Sequence, residues 1–158
     1  MVRFRHLAAV TTGLTFTLIL LGVYTAAMGA GLSCSAQWPF CDGGLIPQTW
    51  PSFVEWFHRL VAMITGFFIL GTAAGSWKYT DQKRIRGAAI LALAVTPVQI
   101  VLGGATVFVY TPLVQVAHHT AAMIIFGALL AATLWSYERA DAPDSQSADA
   151  AAGYPSDD

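Results

Sequence analysis

The residues of this sequence that could do chemistry stand inside stretches that are otherwise almost wholly apolar. They are a carboxylate, a guanidinium and three imidazoles: Glu55, Arg59, His58, His118 and His119. An ionisable group in a membrane-spanning segment costs at least about 2.5–3.5 kcal/mol on insertion scales, and such groups usually mark a functional site. These five are therefore the candidate site residues, and the apolar stretches around them must position them.

The composition is that of a membrane protein. Apolar residues make up 56% of the 158 residues and charged residues 11%, whereas a soluble domain has roughly 45–50% and 25%. So little charge could not cover a water-facing surface, which excludes a cytoplasmic globule and a disordered regulator. The net charge of −1 leaves no large basic face, so no nucleic-acid partner is expected.

Four long apolar runs predict four transmembrane helices. About 20 apolar residues cross a hydrocarbon core of ~30 Å, and without the alternation of a β-barrel only helices satisfy their own backbone in lipid. The sequence therefore predicts an all-α membrane protein, a four-transmembrane-helix bundle within residues 1–137. The predicted helices cover about 8–31, 52–77, 87–110 and 113–137. Residues 138–158 contain few large apolar side chains and are predicted to form a disordered acidic tail.

The basic residues predict the orientation. They precede the first helix or lie between the second and the third, whereas residues 31–51 contain no Lys or Arg. Because basic residues stay on the cytoplasmic side, we expect an integral protein of the plasma membrane with both termini cytoplasmic and the cysteine-containing loop outside.

An internal similarity links the second and fourth helices. Residues 58–64 and 118–124 coincide at four of seven positions, which are His, Ala, Met and Ile. The chain can therefore be interpreted as two two-helix repeats. Chance similarity between short apolar segments is the alternative.

Two histidines are expected at the same depth. His58 follows Pro51 by seven positions and His118 follows Pro112 by six, and each proline is suited to the first turn of a helix. At 1.5 Å per residue, both imidazoles lie roughly 10 Å below the outer boundary. Two imidazoles at one depth on parallel helices could approach a flat ligand from opposite faces.

A haem iron is the ligand that this pair favours, since axial histidines hold haem and helix bundles build cofactor sites from facing side chains. Zinc would need three or four ligands. The alternative is that the histidines only form hydrogen bonds between helices.

The other polar residues in the spans admit more than one interpretation. Glu55, three positions before His58, could hydrogen-bond the imidazole, transfer protons beside a substrate, or serve as the counter-ion of Arg59. Arg59 could extend toward the outer headgroups or pair with a haem propionate. Pro97 and Gln99 are interpreted as a helix kink, which is architecture rather than chemistry.

Cys34 and Cys41 lie on the predicted outer side, where disulfides persist. A structural bridge that closes the small loop is one interpretation. A redox-active pair that passes electrons by thiol–disulfide exchange is the other.

These residues in this order resemble the first half of the haem A synthase (CtaA) family, over roughly residues 8 to 137. The segments that carry the resemblance are Gly31-Leu32-Ser33-Cys34, Gln37-Trp38-Pro39-Phe40-Cys41-Asp42-Gly43, Pro47, Glu55-Trp56-Phe57-His58-Arg59 and Leu102-Gly103-Gly104. Members of this family oxidise the C8 methyl of haem O to the formyl of haem A for terminal oxidases. Most have eight helices, built as two four-helix halves.

The resemblance implies a role for each candidate residue. It implies His58 and one helix 4 histidine as iron ligands, Glu55 as the catalytic acid, and Cys34 with Cys41 as the outer-loop pair. The repeat and the family's His-x₃-Ala spacing favour His118, whereas counting from residues 102–103 favours His119.

The resemblance also implies partners. Haem O is the expected substrate. The expected cofactor is haem with its iron, as haem O or as haem b. A membrane quinone or another acceptor would take the electrons, and haem O synthase and the terminal oxidase assembly would be neighbours. With one half of the usual length, the chain is expected to form a homo-oligomer.

Three other functions compete with this one. A four-helix b-type cytochrome would pass electrons without converting the haem. A quinone-linked thiol oxidase would need a second cysteine pair, and the sequence has only two cysteines. A structural subunit would leave the histidine pair unexplained.

Overall fold

The computed structural model describes residues 2–34, 37, 41–42, 44 and 46–141. Four long helices account for most of them: α1 (Val2–Ala27), α2 (Trp50–Tyr79), α3 (Lys83–Phe108) and α4 (Pro112–Asp141). Each is long and apolar enough to cross a membrane. The predicted all-α membrane bundle is confirmed.

The first helix ends earlier than the apolar run that predicted it. α1 stops at Ala27 rather than near residue 31, because Gly29 adopts a φ of 64°, a left-handed conformation that glycine takes without strain and that ends helices. A short 3₁₀ helix, Ala30–Leu32, follows.

The third helix begins earlier than predicted, at Lys83 rather than near residue 87. Arg86 turns back toward the end of α2, where its Nη2 donates to the carbonyl of Trp77 (3.1 Å) and to Asp81 Oδ1 (3.0 Å). The basic residues of this connection therefore belong to α3. A count of apolar residues alone places them outside the helix.

The fourth helix extends past residue 137, where the sequence placed the start of a disordered tail. Arg84 Nη2 donates to Glu138 Oε2 (3.1 Å), and the Arg84 guanidinium lies 5.5 Å from the centre of the Trp135 ring. These contacts join the start of α3 to the end of α4 and support the added turn. The remainder of the predicted tail, residues 142–158, lies outside the described residues.

The helices form a ring in chain order. α1 and α3 each pack against both α2 and α4, whereas α2 and α4 lie diagonally opposite, without direct packing among the described residues. The α1–α2 hairpin and the α3–α4 hairpin thus occupy corresponding places around the ring. This is the arrangement that two two-helix repeats would adopt.

The half of the bundle at the end that contains most basic residues is closely packed. Its buried apolar residues form two clusters: Ile69, Ala92, Ile125, Ala128 and Leu129, and Phe4, Ala8, Ile85 and Ala132. Small side chains let helices approach closely in a membrane. Two hydroxyl pairs, Thr11–Thr72 (2.8 Å) and Thr12–Thr133 (2.9 Å), connect α1 to α2 and α4. The candidate site residues lie in the other half of the bundle, toward the cysteine-containing loop.

Candidate functional site

Both histidine-bearing helices begin in the same way. A threonine, Thr49 before α2 and Thr111 before α4, accepts a hydrogen bond from the backbone N–H three residues further on, each at 3.3 Å. Pro51 and Pro112 stand in the first turns, where a missing N–H leaves no hydrogen bond unmade. His58 lies nine residues after Thr49 and His118 seven residues after Thr111, so at 1.5 Å per residue their distances from the helix starts differ by about 3 Å.

The cysteine-containing loop is anchored to the start of α2. Cys34 and Cys41 form a disulfide, and both residues are fully buried. Ser52, also fully buried, donates from its Oγ to the carbonyl of Ser33 (3.3 Å). The two cysteines, for which the sequence left a structural bridge and a redox-active pair open, are therefore bridged, and the bridge lies against the helix that bears Glu55.

Each histidine packs against a glycine of the preceding helix. A β-carbon on Gly22 of α1 would lie 3.1 Å from His58 Cε1, and one on Gly103 of α3 would lie 3.2 Å from His118 Cε1. Both distances are shorter than an ordinary van der Waals contact of about 3.5–4.0 Å. Only glycine leaves these rings their present positions, and the same relationship occurs in both hairpins.

The structure brings His58 and His118 toward each other across the ring. They stand on the diagonal helices, and His58 lies within electrostatic range of both His118 and His119. The Nδ1 atoms of His58 and His118 are buried and have no hydrogen-bond partner in the described part of the chain. Buried polar atoms normally have partners, so two such nitrogens between apolar helices fit the axial ligation of a haem iron.

A group of three or more metal-ligating side chains is absent from the described residues. A zinc site requires at least three protein ligands, whereas two imidazoles are enough for a haem iron.

The two adjacent histidines of α4 have different partners. The side-chain amide of Gln99 hydrogen-bonds His118 Nε2 (3.3 Å), and His119 Nδ1 donates to the carbonyl of Gln115 (2.8 Å). When Nδ1 of a histidine donates to a carbonyl, Nε2 is left free to bind a metal. This arrangement is common among metal-ligating histidines. His118, in contrast, has the glycine contact that His58 also has. Both remain candidates for the second ligand.

Glu55 is buried and forms an ion pair one turn along its own helix. Arg59 Nε donates to Glu55 Oε1 (2.9 Å), and Arg59 Nη1 donates to the carbonyl of Gln37 in the outer loop (3.0 Å). Of the three interpretations of Glu55, the structure therefore bears out the counter-ion of Arg59. One oxygen of the carboxylate is therefore already hydrogen-bonded.

Sequence reasoning missed two glutamines of this site. Gln99 contacts His118 directly rather than only marking a kink. Gln115 stands three residues before His118, as Glu55 stands three residues before His58, and the Oε1 atoms of both glutamines are buried without a partner among the described residues. Extending the repeat back by three residues would have found Gln115.

A comparison with protein families matches residues 50–154 to COX15-CtaA, described as cytochrome oxidase assembly protein. The match covers more than half of the chain. The chain belongs to the cytochrome oxidase assembly protein family.

Curated relatives of this family member have two different names. The chain is 29% identical over 137 residues to "Heme A synthase" of Bacillus licheniformis, which is 85% of this chain and 45% of that protein. It is 31% identical over 143 residues to "Heme A synthase" of Exiguobacterium sibiricum, which is 85% of this chain and 48% of that protein. It is 36% identical over 135 residues to "Protoheme IX farnesyltransferase" of Halobacterium salinarum, or 84% and 29%. The chain thus spans less than half the length of these relatives.

Proposed function

We propose that this family member is a haem A synthase-like membrane oxidoreductase that converts the C8 methyl of haem O to the formyl of haem A for terminal oxidase maturation. The observation that carries the proposal is the pair of imidazoles on diagonal helices, each against a glycine and each with a buried, unpaired Nδ1. The similarity to two heme A synthases over 85% of the chain supports it.

In this proposal His58 and His118 hold the iron, with His119 as the alternative to His118. The iron porphyrin supplies the redox chemistry, and the protein supplies binding and orientation. The closed inner core would stop the porphyrin from sinking toward the cytoplasmic side, so the ring would stay in the outer half.

Glu55 is proposed as the group that handles protons. Converting a methyl to a formyl removes hydrogen from the carbon, so a nearby carboxylate can accept protons or stabilise developing positive charge. Glu55 is the carboxylate inside the apolar spans and stands one turn from His58. Arg59 orients it, and we propose that the same guanidinium binds a haem propionate.

The second name among the relatives indicates a partner rather than a second activity. Transfer of a prenyl group from a diphosphate calls for Mg²⁺, which proteins bind with carboxylates and the substrate's phosphates. Apart from Glu138 and Asp141 at the end of α4, the four long helices contain Glu55 as their one carboxylate. Because a protein named for protohaem farnesylation contains a segment like this chain in 29% of its length, we propose that the chain works beside a haem O synthase.

A b-type cytochrome is the second candidate. The ion pair between Glu55 and Arg59 favours it, because the one carboxylate in the layer is already engaged. Formation of formyl haem separates the two functions, since a simple electron carrier would return its haem unchanged.

We further propose a homo-oligomer with both termini cytoplasmic and the disulfide loop outside. The matched heme A synthases are about twice as long as the segment they share with this chain, and a second copy would supply the other half. Light scattering in detergent tests this, and an active protein that is strictly monomeric at equilibrium would contradict it.

The experiment that tests the activity is co-expression with a haem O source, followed by purification and identification of bound porphyrins by chromatography and mass. We expect haem O and haem A in the wild-type protein and neither in His58→Ala. A wild-type protein that lacks Soret absorbance when porphyrin is plentiful would refute the proposal. Bound haem without formyl product would indicate the cytochrome.

A further inference from the structure

The two nitrogens of the His118 ring have different surroundings on α3. A β-carbon on Gly103 would lie 3.2 Å from Cε1 and 3.8 Å from Nδ1, so the helix backbone covers this side of the ring. The side-chain amide of Gln99 hydrogen-bonds Nε2 at 3.3 Å. Gln99 and Gly103 are four residues apart and therefore share one face of α3. Because the Nδ1 side is packed against a helix, Nε2 is the nitrogen of this ring that a metal can approach.

The contact between Gln99 and His118 Nε2 uses the electron pair that a metal would need. A neutral imidazole that carries its proton on Nδ1 has its free lone pair on Nε2. This lone pair can accept from the amide N–H of Gln99 or bind iron, but it cannot do both at once. Exchange between the two partners breaks one bond of Nε2 and forms another, and it transfers neither a proton nor an electron.

The oxygen of the Gln99 amide is buried and has no hydrogen-bond partner in the described part of the chain. Leaving a buried polar atom without a partner costs free energy, and such atoms are rare in folded proteins. An apolar side chain would occupy this position of α3 without that cost. The contact with His118 is therefore the reason that the structure offers for an amide here.

The other proposed iron ligand has no amide at the corresponding place. The ring of His58 has the same kind of glycine contact, with Gly22 of α1. The residue four positions before Gly22 is Leu18, which stands where Gln99 stands relative to Gly103. A leucine side chain forms no hydrogen bond, so α1 offers His58 no competing partner at this position.

We propose that Gln99 is the alternative partner of His118, which makes His118 the exchangeable ligand of the iron and His58 the permanent one. The inference rests on the proposed function, because it takes a haem iron to lie between these two histidines. When His118 leaves the iron, the Gln99 amide holds its Nε2 and one position on the iron is open to a small ligand. When His118 binds the iron, the amide loses its partner. Gln99 is thus a positioning residue that weakens the bond between His118 and the iron.

The experiment uses the purified full chain in detergent, with haem O as the porphyrin and carbon monoxide as the small ligand, in the absence of oxygen. The haem-free chain is titrated with ferric haem O at the Soret band, and the reduced complex is then titrated with carbon monoxide. We expect Gln99→Leu to bind haem O about fivefold more tightly and carbon monoxide about fivefold more weakly. One net hydrogen bond of about 1 kcal/mol corresponds to that factor. A residue that only supported the fold would weaken haem binding when replaced.

Two controls isolate the contact. Thr96→Val removes a polar group of the same helix whose hydroxyl donates to the carbonyl of Ala92 (2.8 Å), and we expect it to leave both affinities within about twofold of the wild type. In a chain that already carries His118→Ala, adding Gln99→Leu should change carbon monoxide affinity by less than about twofold, because the competing imidazole is absent. Gln99→Asn shortens the amide by one methylene, so it tests both changes if the leucine variant does not fold.

Each other outcome overturns the inference. Weaker haem binding by Gln99→Leu would make the amide a support for the His118 ring in its iron-bound position. Unchanged affinities would show that Gln99 does not compete with the iron, as expected if His119 were the ligand. An effect of Gln99→Leu that persists in the His118→Ala chain would not act through His118. If the wild-type protein gave no Soret change with haem O, the proposed function itself would fail.

Discussion

Glu55 and Gln115 occupy the same position in the two repeats, each three residues before a histidine and each with buried side-chain oxygen. The carboxylate of Glu55 is paired with Arg59 at 2.9 Å. The Oε1 of Gln115 has no partner in the described part of the chain. Two similar backbone settings therefore carry different chemistry, with charge on α2 and a neutral amide on α4.

Replacing Glu55 by glutamine would make α2 resemble α4 at this position. We expect Glu55→Gln to keep its haem but to lose conversion by about 100-fold or more, because a positioned proton-transfer group contributes about 10²–10⁴. Chromatography of the bound porphyrins would show accumulated haem O or a half-oxidised product. Glu138→Gln is the matched control, since Glu138 forms an exposed ion pair with Arg84. Wild-type amounts of haem A from Glu55→Gln would refute the catalytic role.

The two glycines that contact the histidine rings should contribute to haem affinity. In Gly22→Ala or Gly103→Ala the new methyl would push the imidazole away, and overpacking of this kind costs about 1–3 kcal/mol. We expect haem affinity to fall roughly tenfold in either variant, as measured by Soret titration. Gly66→Ala is the control, because nothing lies within 4 Å of its β-carbon position. Equal behaviour of Gly66→Ala and Gly103→Ala would contradict the packing argument.

The choice between the two adjacent histidines can be decided by spectroscopy. We expect His118→Ala to lose the low-spin spectrum of a bis-imidazole haem, because its ring has the same glycine contact as that of His58. His119→Ala should retain this spectrum, as should His6→Ala, in which the remaining histidine is replaced near Tyr137. Electron paramagnetic resonance of the purified variants is the measurement. The reverse pattern would make His119 the ligand.

The disulfide should contribute mainly to stability. Closing so small a loop stabilises a fold by about 2 kcal/mol in the chain-entropy description, and both sulfurs are buried at the start of α2. We expect the double variant Cys34→Ala/Cys41→Ala to unfold at a lower temperature and to retain haem. Conversion assays on the same samples test the redox alternative. Loss of conversion in a stable, haem-loaded variant would support that alternative.

The sequence was sufficient for the parts of the fold that depend on local chemistry. Uncharged runs of helix length predicted four spans, and the cysteines in the outer loop allowed the bridge. Helix ends were less accurate because they depend on particular conformations and contacts. Gly29 ends α1 by its left-handed φ, and Arg84 supports the end of α4 through Glu138.

The environment of the histidines could not be predicted from the same patterns. Helices α1 and α3 are apolar on all sides, so their periodicity does not indicate which face meets α2 or α4. The contacts of Gly22 and Gly103, and of Gln99 with His118, depend on the order of the helices in the ring. They became apparent only from the packed bundle.

The similarity between the two hairpins has a consequence for how an asymmetric porphyrin would bind. Two equivalent imidazoles alone would bind a porphyrin equally well in two orientations related by a half-turn of the ring. In half of the molecules the edge that faces Glu55 would then not be the edge that carries the reacting methyl group. Only side chains that differ between the repeats can break this degeneracy. In the proposed site, the ion-paired Glu55 on one side and the amide of Gln115 on the other would therefore make the two edges of the porphyrin inequivalent.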